Sequence, residues 1–169
     1  MLDKKILSMD LSLNLPAFAV VGITEGVPEI IEVCHVDNKK KTKWTQAEKI
    51  KATADALRQL MSEHKEFDGI VRERGFSRFA QTTQALFRVV GVSDLVALEE
   101  KNCKQIEEIP PTTVKSLIAG YGKATKDEVE EGVRDLLPDF QKDFSFATDD
   151  ESDAVAVALT YAIQKGWLK

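Results

Sequence analysis

KILSMD, Lys5 to Asp10, is a short apolar run closed by one acidic residue at the point where the chain must turn. A run of four to eight apolar and β-branched residues reads as a buried strand. In open α/β sheets functional groups gather where strands end, and Asp10 stands at such an end. An acidic residue there is also ordinary turn chemistry, so Asp10 by itself decides nothing.

Two further acidic positions recur in a compatible pattern. Glu73 closes a second strand-like run, FDGIVRE, and TDDESD, Thr148 to Asp153, opens a helical stretch AVAVALTYAI. Carboxylates from two strand ends and a helix start can converge on one point, the usual way to hold divalent cations with oxygen ligands. Asp150 and Asp153 are three apart and share a helix face. Asp153 also lies against the apolar stripe of Ala154, Val157 and Ala158, where a charge needs a partner. The alternative remains open at this point, since acidic side chains in any first helical turn complement the macrodipole. Asp149 and Glu151 read as capping and surface charge.

The 169 residues, 43% hydrophobic and 30% charged, are enough for one domain with its own core spanning residues 1–169. No apolar stretch approaches the length that spans a bilayer, and MLDKK runs into a strand rather than a signal-peptide apolar core. A cytoplasmic protein without membrane contact is expected. Cys34, Cys103, His35 and His64 show no metal-binding spacing, which points away from zinc. The formal net charge of −5 argues against a general nucleic-acid coat but leaves room for a local basic strip. Lys39, Lys40, Lys41 and Lys43 read as a solvated loop or as contacts to phosphates.

Further strands are expected at Ala17 to Ile23 and Glu29 to Val36, then a helix from Thr45 to about His64 behind the capping box TQAE. Strand four is Gly69 to Glu73. A helix follows from Phe76 to Val90, ending at Gly91, with Phe79, Thr83, Leu86, Phe87 and Val90 along one stripe. A fifth strand is expected at Asp94 to Leu98, DLVAL. Three helices close the chain, in PPTTVKSLIAG, from Thr125 behind the box TKDE, and from Thr148 behind TDDE. This order lacks the strict βα alternation and Gly-rich loop of a dinucleotide fold. It fits an α/β, five-stranded mixed sheet with helices on both faces.

With these residues assembled, the sequence resembles the RuvC-like Holliday junction resolvases of the ribonuclease H-like nuclease superfamily. The most specific stretches are PPTTVKSLIAGYGKATKDEVEEGV and DDESDAVAVAL, with the strand ending in Asp10 and the pair Glu73 and Phe76 as weaker anchors. DLSLNLPAF after Asp10 departs from the Pro-Gly turn of cellular members, which implies a phage-type protein acting in a bacterial host cytoplasm. The resemblance implies metal-binding catalytic carboxylates at Asp10, Glu73, Asp150 and Asp153 and functional lysines at Lys115 and Lys126. It also implies a junction-stacking aromatic at Phe76. Arg72, Arg74 and Arg78 flank that position, and an aromatic among basic residues is the combination that stacks on an unpaired base while holding its phosphates; with Lys115, Lys123 and Lys126 they are the expected DNA contacts.

The implied protein is a Mg2+-dependent endodeoxyribonuclease with two ions per active site, Mn2+ substituting. It would resolve four-way junctions and other branched DNA as a homodimer, leaving 5′-phosphate ends. Another ribonuclease H-like nuclease acting on RNA/DNA hybrids or flaps, or a catalytically silent binder of branched DNA, are the alternatives.

Overall fold

The computed structural model describes residues 2–75 and 79–168. Strands β1 (Lys4–Asp10), β2 (Ala17–Thr24) and β3 (Val27–His35) form an antiparallel meander. Helix α1 (Gln46–Glu63) then carries the chain to β4 (Gly69–Glu73), which lies parallel to β1. After α2 (Ala80–Lys101), the short strand β5 (Glu107–Ile109) pairs in parallel with β4. The sheet order is β3-β2-β1-β4-β5. Helices α3 (Pro111–Ala119), α4 (Lys126–Leu136) and α5 (Asp149–Gln164) complete the chain. Among the described residues no helix is long and apolar enough to cross a membrane.

The period of two along each strand sorts the side chains between two cores. From β1, Ile6 joins Ala17, Ala19 and Val21 of β2 against α3, α4 and α5, whereas Leu7 and Met9 join Phe18 and Val20 against α1 and α2. Helix α5 is apolar on every side because it has neighbours on every side, with the sheet beneath it and α3 and α4 outside it. Its alanines, Ala154, Ala156 and Ala158, are fully buried. Ser8 is buried on the α5 face and donates its hydroxyl to the Ala154 carbonyl at 2.7 Å.

The expected capping boxes of α1 and α4 are present at Thr45/Glu48 and Thr125/Glu128. The third is only half formed. Thr148 accepts from the Glu151 backbone N–H, but the Glu151 carboxylate bonds elsewhere.

One strand is corrected. DLVAL, Asp94 to Leu98, is the last part of α2, which runs through Gly91 without a break. A short apolar run does not by itself separate strand from helix; here Val89, Ser93 and Val96 recur at helical spacing on the buried side. Gly91 is exposed, with nothing within 4 Å of where a Cβ would sit, so it costs the helix only its propensity. The helix ends instead at Asn102, in the left-handed region at φ 50°. The fifth strand is the three-residue EEI, short and acidic as suits a sheet edge.

The two helical glycines therefore have opposite expected behaviour. Gly91→Ala should raise the melting temperature by about 2–4 °C, from about 1 kcal/mol of helix propensity. Gly132→Ala, whose Cβ would lie 2.2 Å from the Ile118 carbonyl oxygen, should lower it through a strain of about 1–3 kcal/mol. Calorimetric melting of both variants checks the signs.

Candidate metal centre

Asp10 is the last residue of β1 and, with Ile6 and Ser8, points to the α5 face. The hydrogen bond from Ser8 to Ala154 seats the first turn of α5 above that strand end. Asp150 lies in this turn and Asp153 directly after it, on the same helix face. Asp10, Asp150 and Asp153 each bring a carboxylate oxygen within 4.8 Å of the others. Glu73 ends β4 on the strand beside Asp10, since Met9 pairs with Arg72 in parallel register. The alternation puts Glu73 on the same face as buried Val71.

So many carboxylates in one place disfavour their own ionisation. Burial pushes Asp10 well above the usual carboxylate range, and Glu73, Asp153 and Asp150 add to the shift while Lys126 opposes it. Glu73 is pushed up to about 7 by burial and by Asp153, against the pull of Lys115 and Lys126. Asp153 is raised chiefly by burial, partly offset by its bond to Lys126.

Lys126, the first residue of α4, sets its ammonium 3.0 Å from Asp153 and 3.8 Å from Asp150. Partial burial works against its charge, but Asp153, Asp150 and Asp10 hold its pKa above the ordinary lysine value. One ammonium does not balance the cluster. The donors are all oxygen and strongly anionic, a set that fits a hard divalent cation such as Mg2+ or Mn2+.

The expected basic residues are placed unevenly. Lys115, half-buried on α3, acts electrostatically on Glu73. Lys123 is exposed in the turn before α4. Arg74 is exposed just past β4, 3.5 Å from Glu108. Phe76 and Arg78 lie outside the described residues.

Arg72 is a correction. Strand alternation turns it away from Glu73 to the opposite face, where it is 6% exposed. There it bonds Ser93, Asp94 and Glu108, so its guanidinium ties α2 and β5 to β4 and is not free to meet phosphate. Its partner Asp94 was hidden from sequence reasoning by the strand expected at DLVAL.

Glu151 is the second correction. Expected as surface charge, it is 4% exposed. One carboxylate oxygen accepts from His35 Nδ1 at 2.7 Å and the other from the Ala147 backbone N–H at 2.7 Å. The spacing TDDE gave no sign of this, because the same glutamate would complete a solvent-exposed capping box.

Residues 6–161 match the family model "Crossover junction endodeoxyribonuclease RuvC". A protein of that name from Alkaliphilus metalliredigens (strain QYMF) is 27% identical over 157 residues, covering 93% of this chain and 92% of the relative. Another from Synechococcus sp. (strain CC9902) is 29% identical over 167 residues, covering 98% and 99%. Among solved structures, T. thermophilus RuvC in complex with Holliday junction substrate superposes with a TM-score of 0.81 at 20% identity, covering 98% of each chain. That likeness bears out the expected ribonuclease H-like fold.

The raised carboxylates give a testable pH dependence without metal. A folded-state pKa above the unfolded value means the folded chain holds extra protons, so stability falls as pH rises from about 4, the ordinary carboxylate value, to the value of about 7 for Glu73. Melting of the chelator-treated protein should therefore fall across that window. Asp10→Asn should flatten the fall and melt higher at pH 7.5, by about 2–4 °C for each kcal/mol of repulsion relieved. A variant that melts lower than the parent at pH 7.5 would contradict the electrostatics described here.

Proposed function

The chain belongs to the RuvC family of crossover junction endodeoxyribonucleases, and from that membership we propose that it resolves four-way DNA junctions by hydrolysing a phosphodiester bond in each of two opposing strands. The observation that carries this reading is the convergence of Asp10, Asp150 and Asp153 beside Glu73, with Lys126 at their edge. These four acidic residues would hold two Mg2+ ions, with Mn2+ as a substitute. When bound, the ions supply Lewis acidity and a water of lowered pKa. Water would add to phosphorus as the bond to the 3′ oxygen breaks, one water proton passing to that oxygen, so that the products would be a 5′-phosphate and a 3′-hydroxyl.

The chain's own side chains orient and neutralise. Lys126 lies 3.0 Å from Asp153 at the rim of the cluster, where its ammonium can move to a non-bridging oxygen of the scissile phosphate. Lys115 sets a second positive charge near Glu73. Exposed Lys123 would add a further phosphate contact, and exposed Arg74, which shares Glu108 with Arg72, would have to leave that carboxylate to add another. Phe76, which the family resemblance makes the stacking residue, would stack on an unpaired base at the branch point, contributing about 1–3 kcal/mol per base.

Paired cuts need two sites related by a two-fold axis, hence two copies of the chain. Helix α2 offers the surface for this, with Phe79 74%, Phe87 58%, Leu95 50% and Leu98 47% exposed. Leu86, expected on the same stripe, is instead buried in the second core.

The deciding experiment is a panel of junction, flap, fork and RNA/DNA hybrid substrates with and without Mg2+. Paired cuts confined to the junction with Mg2+ are expected; a preference for the hybrid, or binding with no cleavage, would overturn the proposal. Asp153→Asn should abolish cleavage while junction binding persists or strengthens, because the change removes a ligand and also a negative charge facing phosphate. Gel-shift and cleavage assays on the same preparation separate the two effects. Junction affinity should fall about 10³-fold or more between 50 and 200 mM salt if six or more phosphates are neutralised, and a flat salt response would remove DNA as the main ligand.

A further inference from the structure

We propose that His35 and Glu151 are a positioning pair for the metal-ligand carboxylates, fixing the rotation of α5 so that Asp150 and Asp153 meet Asp10. The inference rests on the reading of that cluster as a divalent-metal site. Glu151 follows Asp150 directly and precedes Asp153 by two, yet it faces inward at 4% exposure. The comparison within the chain is instructive. Glu48 and Glu128 hold the same third position behind a threonine cap, and each bonds the cap's own backbone N–H on the surface. Glu151 gives up that bond. It spans instead from the Ala147 N–H, in the segment entering α5, to His35 Nδ1 at the end of β3.

His35 is well placed for this. Asp10 pairs with Ala17 and Ala17 with His35, so the three form one transverse row across β1, β2 and β3. At about 4.8 Å per strand the row is a fixed ruler from the metal-ligand strand to the histidine. The N-terminal half of α5 is then fastened to the sheet by Ser8 under Ala154 and His35 under Glu151, while Tyr161 and Lys165 on Glu107 of β5 hold the far half. Glu151 is the bond of the opening turn itself, and a small turn of that end would carry both aspartates away from Asp10. The bond to His35 prevents it. Burying a carboxylate beside others of like charge is costly unless it is fully bonded, and both oxygens of Glu151 are.

The test is Mn2+ binding to the full chain, followed by electron paramagnetic resonance of free Mn2+, together with melting and junction cleavage. Glu151→Ala and His35→Ala should each weaken Mn2+ binding by about 10–100-fold, the range for residues that orient ligands. The double variant should bind no worse than the weaker single one, since both remove one interaction. Glu151→Gln keeps the geometry without the charge, its amide donating to His35 Nδ1 and its carbonyl accepting from Ala147, and should recover most of the affinity. It also carries the test with His35→Ala should Glu151→Ala not fold. If Glu151→Gln binds as poorly as Glu151→Ala, charge and not position is at work and the proposal fails. It fails equally if the alanine variants melt lower but bind Mn2+ like the parent. A parent protein that binds no Mn2+ would instead overturn the metal-site reading beneath it.

Discussion

Four carboxylates repel one another, and the fold exists in its present form because something else holds them together. That something is the seat of α5 on β1. The helix is buried on all sides, its alanines allow close approach to the sheet, and the hydroxyl of Ser8 reaches the Ala154 carbonyl. A buried hydroxyl without a partner would cost about 1–3 kcal/mol, so the bond favours one height of the helix over its neighbours. The apolar burial of α5 supplies the attraction against which the acidic cluster is assembled.

The sheet does the complementary work. Parallel pairing of β1 and β4 in register brings Asp10 and Glu73 to one end of adjacent strands, and α4 brings Lys126 over the same end. The protein thus holds a site whose charges are uncomfortable on their own, shown by the upward shifts of Asp10, Glu73 and Asp153. Functional sites are where such perturbation collects. A cation among these carboxylates would relieve their mutual repulsion.

The opposite face shows the same strands put to another use. One residue before Glu73, Arg72 points into the second core and binds Asp94 and Glu108. Neighbouring positions on one strand therefore go separately to the acidic cluster and to cohesion of the second core, because alternation sends them to opposite sides. A basic residue next to a ligand in sequence is not next to it in space.

Much of this was legible in the chain itself. The alternation of KILSMD, the capping boxes at Thr45 and Thr125, the proline and glycine bounding α3, and the all-round apolar run of α5 are local signals, and local signals survive without tertiary context. They placed Asp10, Glu73, Asp150 and Asp153 at two strand ends and a helix start. What failed depended on partners far along the chain. DLVAL is helix, its buried Val96 and Ala97 packing in the core that α2 shares with α1, and the short strand EEI was invisible because pairing with β4, not its composition, makes it a strand. Glu151 had the spacing of a surface cap and turned inward only because His35, 116 residues away, stands at the level of Asp10. Sequence by itself determined most of the elements and which of them carry the acids, since those follow from periodicity and capping. Only the tertiary structure decided which charges meet, because that is set by strand register and helix seating between residues the chain keeps apart.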